Sequence, residues 1–174
     1  YRVDLKPVRI QGIGEAEELF GAEETANEMI AVYLFDETEI LRCRQEINDQ
    51  KMVAGLIYLD NYDEALESVE EVRRSLLTAL IDRKINKYIS GMNGITKKLE
   101  KDKYFFAIKQ RYVQELRDNR FSLLEEVKTV NIGNEMAVTL SIGLGMGGET
   151  YGQNYEFSRM AIDMALGRGG DQAV

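Results

Sequence analysis

Two acidic residues lie where phosphoryl chemistry could use them. Asp60 ends an almost unbroken apolar run, Met52–Leu59, and Asp102 sits in the charged turn Glu100-Lys101-Asp102-Lys103 between two strand-like stretches. If that run and that turn meet in one sheet, two carboxylates converge. Such a pair can hold Mg²⁺ or Mn²⁺, and the cation can neutralise a triphosphate during phosphoryl transfer. Both residues also have ordinary uses: Asp60 can cap the helix that follows it, and Asp102 can simply occupy a turn.

Composition closes off the main competitors. The chain has no His, which removes Ser/His/Asp triads, Cys/His dyads and His-rich metal centres. Its 22 Lys and Arg stand against 30 Asp and Glu, and the net charge of −8 with no concentrated basic patch argues against DNA or RNA as a partner. The single Cys43 rules out an internal disulfide and fits a reducing compartment. No apolar run approaches the ~18 residues of a membrane span. The opening residues carry no signal-peptide pattern and no initiator Met, so the sequence reads as an excised piece of a longer protein.

The elements that must position the acids follow from periodicity. Tyr1–Ile10 alternates around Pro7 as an edge strand would, and Ile30–Phe35 is a second short strand. Between them, Glu15–Glu28 reads as an exposed loop or short helix, and Glu37–Asp49 as a connecting helix. Met52–Leu59 predicts a strand buried on both faces. Leu66 to Ile89 then predicts one amphipathic helix of about seven turns, ended by Gly91 and Gly94. Thr96–Leu99 and Tyr104–Ile108 flank the charged turn as strands. Gln110–Val130 is helical with a break near Asn119, Met136–Leu144 is a strand, and Phe157–Leu166 is a final helix. The predicted fold is α+β: one antiparallel sheet with helices covering one face, in a ferredoxin-like or polymerase-palm arrangement, plus a short N-terminal β extension.

Two further motifs have bland readings. Gly143-Leu144-Gly145-Met146-Gly147-Gly148 satisfies GxGxxG, but the expected helix begins too late to meet a pyrophosphate, so a flexible strand-to-helix loop is the better reading. Met160 and Met164, one helical turn apart beside Ala161 and Ala165, read as core packing.

Three stretches carry a family resemblance. Leu56-Ile57-Tyr58-Leu59-Asp60, Glu100-Lys101-Asp102-Lys103-Tyr104 and Val138-Thr139-Leu140-Ser141-Ile142-Gly143 resemble the three landmarks of GGDEF domains: a strand ending in Asp, the signature hairpin, and a TxSIG strand. Asp60-Asn61-Tyr62-Asp63-Glu64 and the terminal Ala165-Leu166-Gly167-Arg168-Gly169-Gly170-Asp171-Gln172-Ala173-Val174 are similar to one branch, the GdpP/YybT family of cyclic-di-AMP phosphodiesterases. Val32-Tyr33-Leu34-Phe35-Asp36 resembles the last PAS strand of the same proteins.

The resemblance implies a division into a PAS-like remnant at 1–36, a connecting helix at 37–51, a degenerate GGDEF domain at 52–167 and a linker at 168–174 towards a DHH domain. It implies PAS and DHH/DHHA1 domains of the same parent chain as partners. It also implies attachment to the cytoplasmic side of the membrane through N-terminal helices outside this sequence, and it admits a homodimer. Glu100 and Lys101 stand where active cyclases have glycines, Lys103 replaces an acid, and no counterpart of the guanine-reading Asn follows the first strand. Asp60 and Asp102 are then the metal candidates, and the hairpin residues Glu100, Lys101, Asp102, Lys103 and Tyr104 the nucleotide-binding ones. The expectation is a regulatory domain that holds ATP or another nucleotide weakly and makes no cyclic dinucleotide. The alternatives are a weak metal-dependent ATPase and a ligand-free interaction domain. Lys103 could equally pair with Asp60 or Asp102 and stand in for the metal.

Overall fold

The computed structural model describes residues 1–9 and 28–174. It divides into two compact units, Tyr1–Glu46 and Ile47–Val174. The segment Glu15–Glu28, read above as a loop or short helix, lies outside the described residues except for Glu28.

In the first unit β1 (Arg2–Arg9) pairs antiparallel with β2 (Glu28–Phe35), in a register that sets Arg2 opposite Phe35 and Pro7 opposite Ile30. Tyr33 and Phe35 stack at 6.5 Å, and the Arg2 guanidinium lies over the Phe35 ring. Two strands have too little area to bury a core, and Val3, Leu5, Ile30, Val32 and Leu34 stay exposed. Helix α1 (Thr38–Gln50) starts where the Asp36 carboxylate accepts the Thr38 N–H at 2.9 Å. The boundary between the units falls within this helix.

The second unit holds a four-stranded antiparallel sheet in the order β4-β5-β3-β6. Its strands are β3 (Met52–Leu59), β4 (Ile95–Lys98), β5 (Lys103–Lys109) and β6 (Leu140–Gly145). The two-residue alternation sorts the side chains. Val53, Ile57, Leu59, Tyr104, Phe106, Ile108, Leu140 and Ile142 share one face and form the main core. Against them α3 (Glu71–Gly91) presents Leu77, Ile81, Ile85 and Ile89, a fully buried stripe at four-residue spacing.

The other face carries Ala54 and Leu56 beside Gly143 and Gly145, and α6 (Tyr151–Gly167) lies on it. The sheet is therefore covered on both faces, not one as periodicity suggested. Close contact explains the glycines: a Cβ at Gly145 would stand 1.8 Å from the Asn154 carbonyl oxygen, and one at Gly143 would stand 2.5 Å from the Ser158 carbonyl oxygen. The GxG pair is thus a seat for a helix, with Gly143 and Gly145 inside a strand and not in a flexible loop. On α6, Met160 and Met164 are 55% and 49% exposed, so they do not pack in the core as their spacing suggested.

Several boundaries differ from the periodic reading for local reasons. The long helix is two, α2 (Tyr62–Glu67) and α3, because the chain turns at Ser68–Glu70 to bury Val69. The Ser68 hydroxyl donates to the Ala65 carbonyl there, and the Arg74 guanidinium to that of Val69. The Gln110–Val130 stretch opens with a 3₁₀ turn, Gln110–Tyr112, followed by α4 (Val113–Asp118) and α5 (Leu123–Lys128), with the break at Asn119. Helix α6 starts six residues before its apolar pattern does, since Thr150 caps it by accepting the Gln153 N–H at 3.1 Å.

Candidate functional site

Strand β3 runs out of the sheet at Leu59 and the chain turns at Asp60–Asn61 into α2. This corner is held by side chains together with a backbone bond from the Asp60 N–H to the Thr139 carbonyl at 3.0 Å. The Asn61 amide donates to the Ala137 carbonyl at 2.8 Å and accepts the Thr139 N–H at 2.9 Å. Strand β6 begins at Leu140 and not at Met136.

The Asp60 carboxylate is fully engaged. One oxygen accepts from the Ser141 hydroxyl at 2.7 Å and the other from the Asp171 backbone N–H at 2.8 Å. Ser141 is buried, so its hydroxyl depends on this partner. Asp60 does not cap α2, whose first turn receives no side-chain cap.

Asp102 lies on the neighbouring strand end, as strand order predicts. Its carbonyl accepts the N–H of Leu59, and the register pairs Tyr58 with Lys103, so Asp102 stands opposite Leu59, one residue short of Asp60. Under the alternation, Asp60 belongs to the face of Tyr58 and Ser141, and Asp102 to the face of Leu59. A cation held jointly needs both carboxylates turned to one side, which this register does not provide. Among the described residues there is no group of three or more carboxylates or thiolates fit to hold a metal ion.

Both lysines of the hairpin are paired with carboxylates. Lys103 pairs with Glu100 at 2.9 Å, and Lys101 with Asp63 on α2 at 2.6 Å. The alternative in which Lys103 pairs with Asp60 or Asp102 in place of a metal is not what the structure shows: three residues' separation across the tight turn gives it Glu100. It also lies 5.3 Å from the centroid of the Tyr58 ring. These hydrogen bonds to carboxylates hold both ammonium groups above the usual lysine range. Tyr104, the last signature residue, is buried, and its hydroxyl donates in a short bond to Asp82 on α3, which also takes Lys98 at 2.9 Å. Burial first, then the Asp82 bond, push the Tyr104 hydroxyl far above its ordinary pKa.

The terminal segment, read as a linker, folds back onto the sheet. The Ile142 N–H donates to the Gln172 carbonyl at 2.9 Å and the Leu144 N–H to the Val174 carbonyl at 2.8 Å, so residues 172–174 run parallel to β6 along its free edge. Sequence reasoning missed Ser141, Asn61 and Asp171 as partners at the corner. The signal was present in TxSIG, where a Ser interrupts an apolar strand and must find a partner if buried. A cleft of about 780 Å³ lies elsewhere, beside α6, lined by Ala54, Ile95, Phe105, Ala107 and Tyr155 among others. It includes none of the candidate site residues.

A four-stranded antiparallel sheet with a charged hairpin at β4–β5 and an Asp at the end of β3 defines a GGDEF-type domain. Similar folds are found in the active GGEEF domain of a diguanylate cyclase from Vibrio cholerae (TM-score 0.60, 13% identity, 77% of this chain and 86% of that one) and in the GGDEF domain of DgcB from Caulobacter crescentus (TM-score 0.61, 12% identity, 79% and 86%). At such identities the likeness concerns the fold alone.

The family is narrower than the fold. Residues 57–174 match the model of the GGDEF domain of cyclic-di-AMP phosphodiesterase GdpP-like proteins, and the chain belongs to that family. It is 29% identical over 143 residues to the cyclic-di-AMP phosphodiesterase GdpP of Geobacillus thermodenitrificans, covering 82% of this chain and 22% of the relative. The cyclic-di-AMP phosphodiesterase PdeA of Listeria monocytogenes is also 29% identical, with the same coverage. The chain spans about a fifth of the length of these relatives. Among the described residues no helix is long and apolar enough to cross a membrane.

Proposed function

We propose that this GGDEF-type domain is a regulatory module of a cyclic-di-AMP phosphodiesterase and neither makes nor cleaves cyclic dinucleotides itself. The observation that carries the reading is the hairpin. Where substrate phosphates would have to approach backbone, Glu100 and Lys101 project side chains committed to Lys103 and Asp63. The phosphodiesterase activity of the relatives supports the hydrolase context, and the lack of any His argues that the hydrolytic centre lies in another part of such a protein. Domains of the same parent chain, including the PAS-like and DHH/DHHA1 domains, are the proposed partners. The proposed location is the cytoplasmic face of a membrane.

Nucleotide binding through a Mg²⁺ or Mn²⁺ shared by Asp60 and Asp102 does not fit the register, so any contact with ATP is proposed to be weak and independent of that pair. Calorimetric titration with ATP, GTP and cyclic-di-AMP in Mg²⁺ or Mn²⁺, with product assays on the same samples, tests the reading. No turnover of GTP or cyclic-di-AMP is expected, and Asp102→Asn should leave any ATP isotherm unchanged. Cyclic-di-GMP formation, chelator-sensitive cleavage of cyclic-di-AMP, or an ATP isotherm lost in that variant overturns it.

A further inference from the structure

The Asp60 corner and the terminal segment are built for each other. Gly169, Gly170 and Asp171 follow one another at φ of 105°, 76° and 55°, a left-handed run in which Asp is one of the few L residues readily accommodated. Side chains hold it from three directions. Asp60 accepts the Asp171 N–H, Lys128 of α5 pairs with the Asp171 carboxylate at 2.6 Å, and the Gln172 amide donates to the Ala165 carbonyl at 3.1 Å. Gly170 passes so near that a Cβ there would stand 2.8 Å from the Asp60 carboxylate.

Beyond the turn, residues 172–174 follow β6. The turn is closed onto α6 by backbone bonds, with the Gly169 N–H donating to the Leu166 carbonyl and the Gly170 N–H to the Ala165 carbonyl, and Asp60 is its attachment at the end of β3. We propose that the Asp60 carboxylate, set by the buried Ser141 hydroxyl, is the receptor of a reversible latch that captures the Gly170–Asp171 turn and so docks residues 172–174 on the edge of β6.

The latch rests on the regulatory reading only for its purpose: it names the segment through which such a module would deliver its state. Opening it exposes the β6 edge and frees the segment after α6 while both sheet faces stay packed. That places it among the low-energy local openings of a fold, where switching elements are found.

Residue-resolved amide hydrogen exchange on the whole chain tests this. In Asp60→Ala, exchange at Asp171, Val174 and Leu144 should rise on the order of tenfold or more, as expected for loss of a hydrogen bond to a charged acceptor. Phe106 in the centre of β5 should keep its protection. Gly170→Ala leaves Asp60 in place yet obstructs the turn, and should give the same selective pattern if Asp60→Ala folds poorly. Unchanged exchange at 171 and 174 in both variants, or a rise spread evenly over tail and β5, overturns the latch. This readout is separate from the turnover and calorimetry that decide the functional reading.

Discussion

The hairpin at 99–103 and the corner at 60–61 solve the same problem in different ways. At the hairpin the charges are paired side chain to side chain in water: Lys101 and Asp63 are both more than half exposed. Exposed pairs stabilise little, because solvent screens them and the long side chains lose entropy. At the corner the partners are a buried hydroxyl and the backbone N–H of Asp171 at the surface. The buried hydroxyl cannot exchange its partner for water. Charge in an exposed turn can vary at little cost, whereas a buried polar group keeps whichever partner satisfies it.

The largest effect should come from the seat of α6 on the sheet, at the end of β6 away from the corner. Gly145→Ala places a methyl against the Asn154 backbone and should cost about 3 kcal/mol, in the range of strained core overpacking. Thermal unfolding should show a drop of many degrees, and a near-normal midpoint would mean that α6 does not sit as described.

Next comes the corner itself. Asp60→Ala should lower stability by about 1.5–3 kcal/mol, since it orphans the buried Ser141 hydroxyl and removes the bond to the Asp171 N–H. A double-mutant cycle with Ser141→Ala in urea should return a coupling of roughly 1 kcal/mol. Additive effects would show that the two groups are independent.

Tyr104→Phe should cost about 1 kcal/mol by removing the hydroxyl bond to Asp82. It also has a pH signature. The folded-state pKa of Tyr104 is raised above the unfolded value of 10.0, so the folded protein holds this proton more tightly. The contribution is therefore fully present below pH 10 and is lost as pH rises beyond it. The variant should show a flatter decline in the alkaline range, and identical alkaline profiles would remove Tyr104 from the account.

The smallest effect should be at the hairpin. Lys101→Met and Lys103→Met should leave the unfolding midpoint within experimental error at low and high salt alike. A clear, salt-sensitive loss would put the hairpin pairs on a level with the corner and erase the contrast.

Much of this architecture could be read from residue order. Met52–Leu59 has the bounds that its apolar run predicts, the hairpin strands fall within a residue of expectation, and the break at Asn119 is present. Those signals are local and periodic, and they survive because the sheet buries both faces of β3. The misreadings arose where a distant partner sets the outcome. Asn61 reaches across 76 residues to the Ala137 carbonyl, and Gly143 and Gly145 look like loop glycines until a helix is laid on them. The candidate site divides in the same way: Asp60 and Asp102 reach adjacent strand ends as foreseen, yet the pairing of Leu59 with Asp102 assigns the two acids to opposite faces.

By itself the sequence determined the class of fold, the family resemblance and the exclusion of histidine chemistry, because composition and periodicity depend on the chain alone. It also located the acids at the ends of their strands. Only the tertiary structure decided what those acids do. The register that separates Asp60 from Asp102, the partner that Lys103 takes, and the return of residues 172–174 to β6 all depend on contacts between segments far apart in the chain. A hydrogen bond between Asp60 and Asp171 spans 111 residues and leaves no local pattern in either. It exists because the fold brings a half-buried carboxylate and a left-handed turn together.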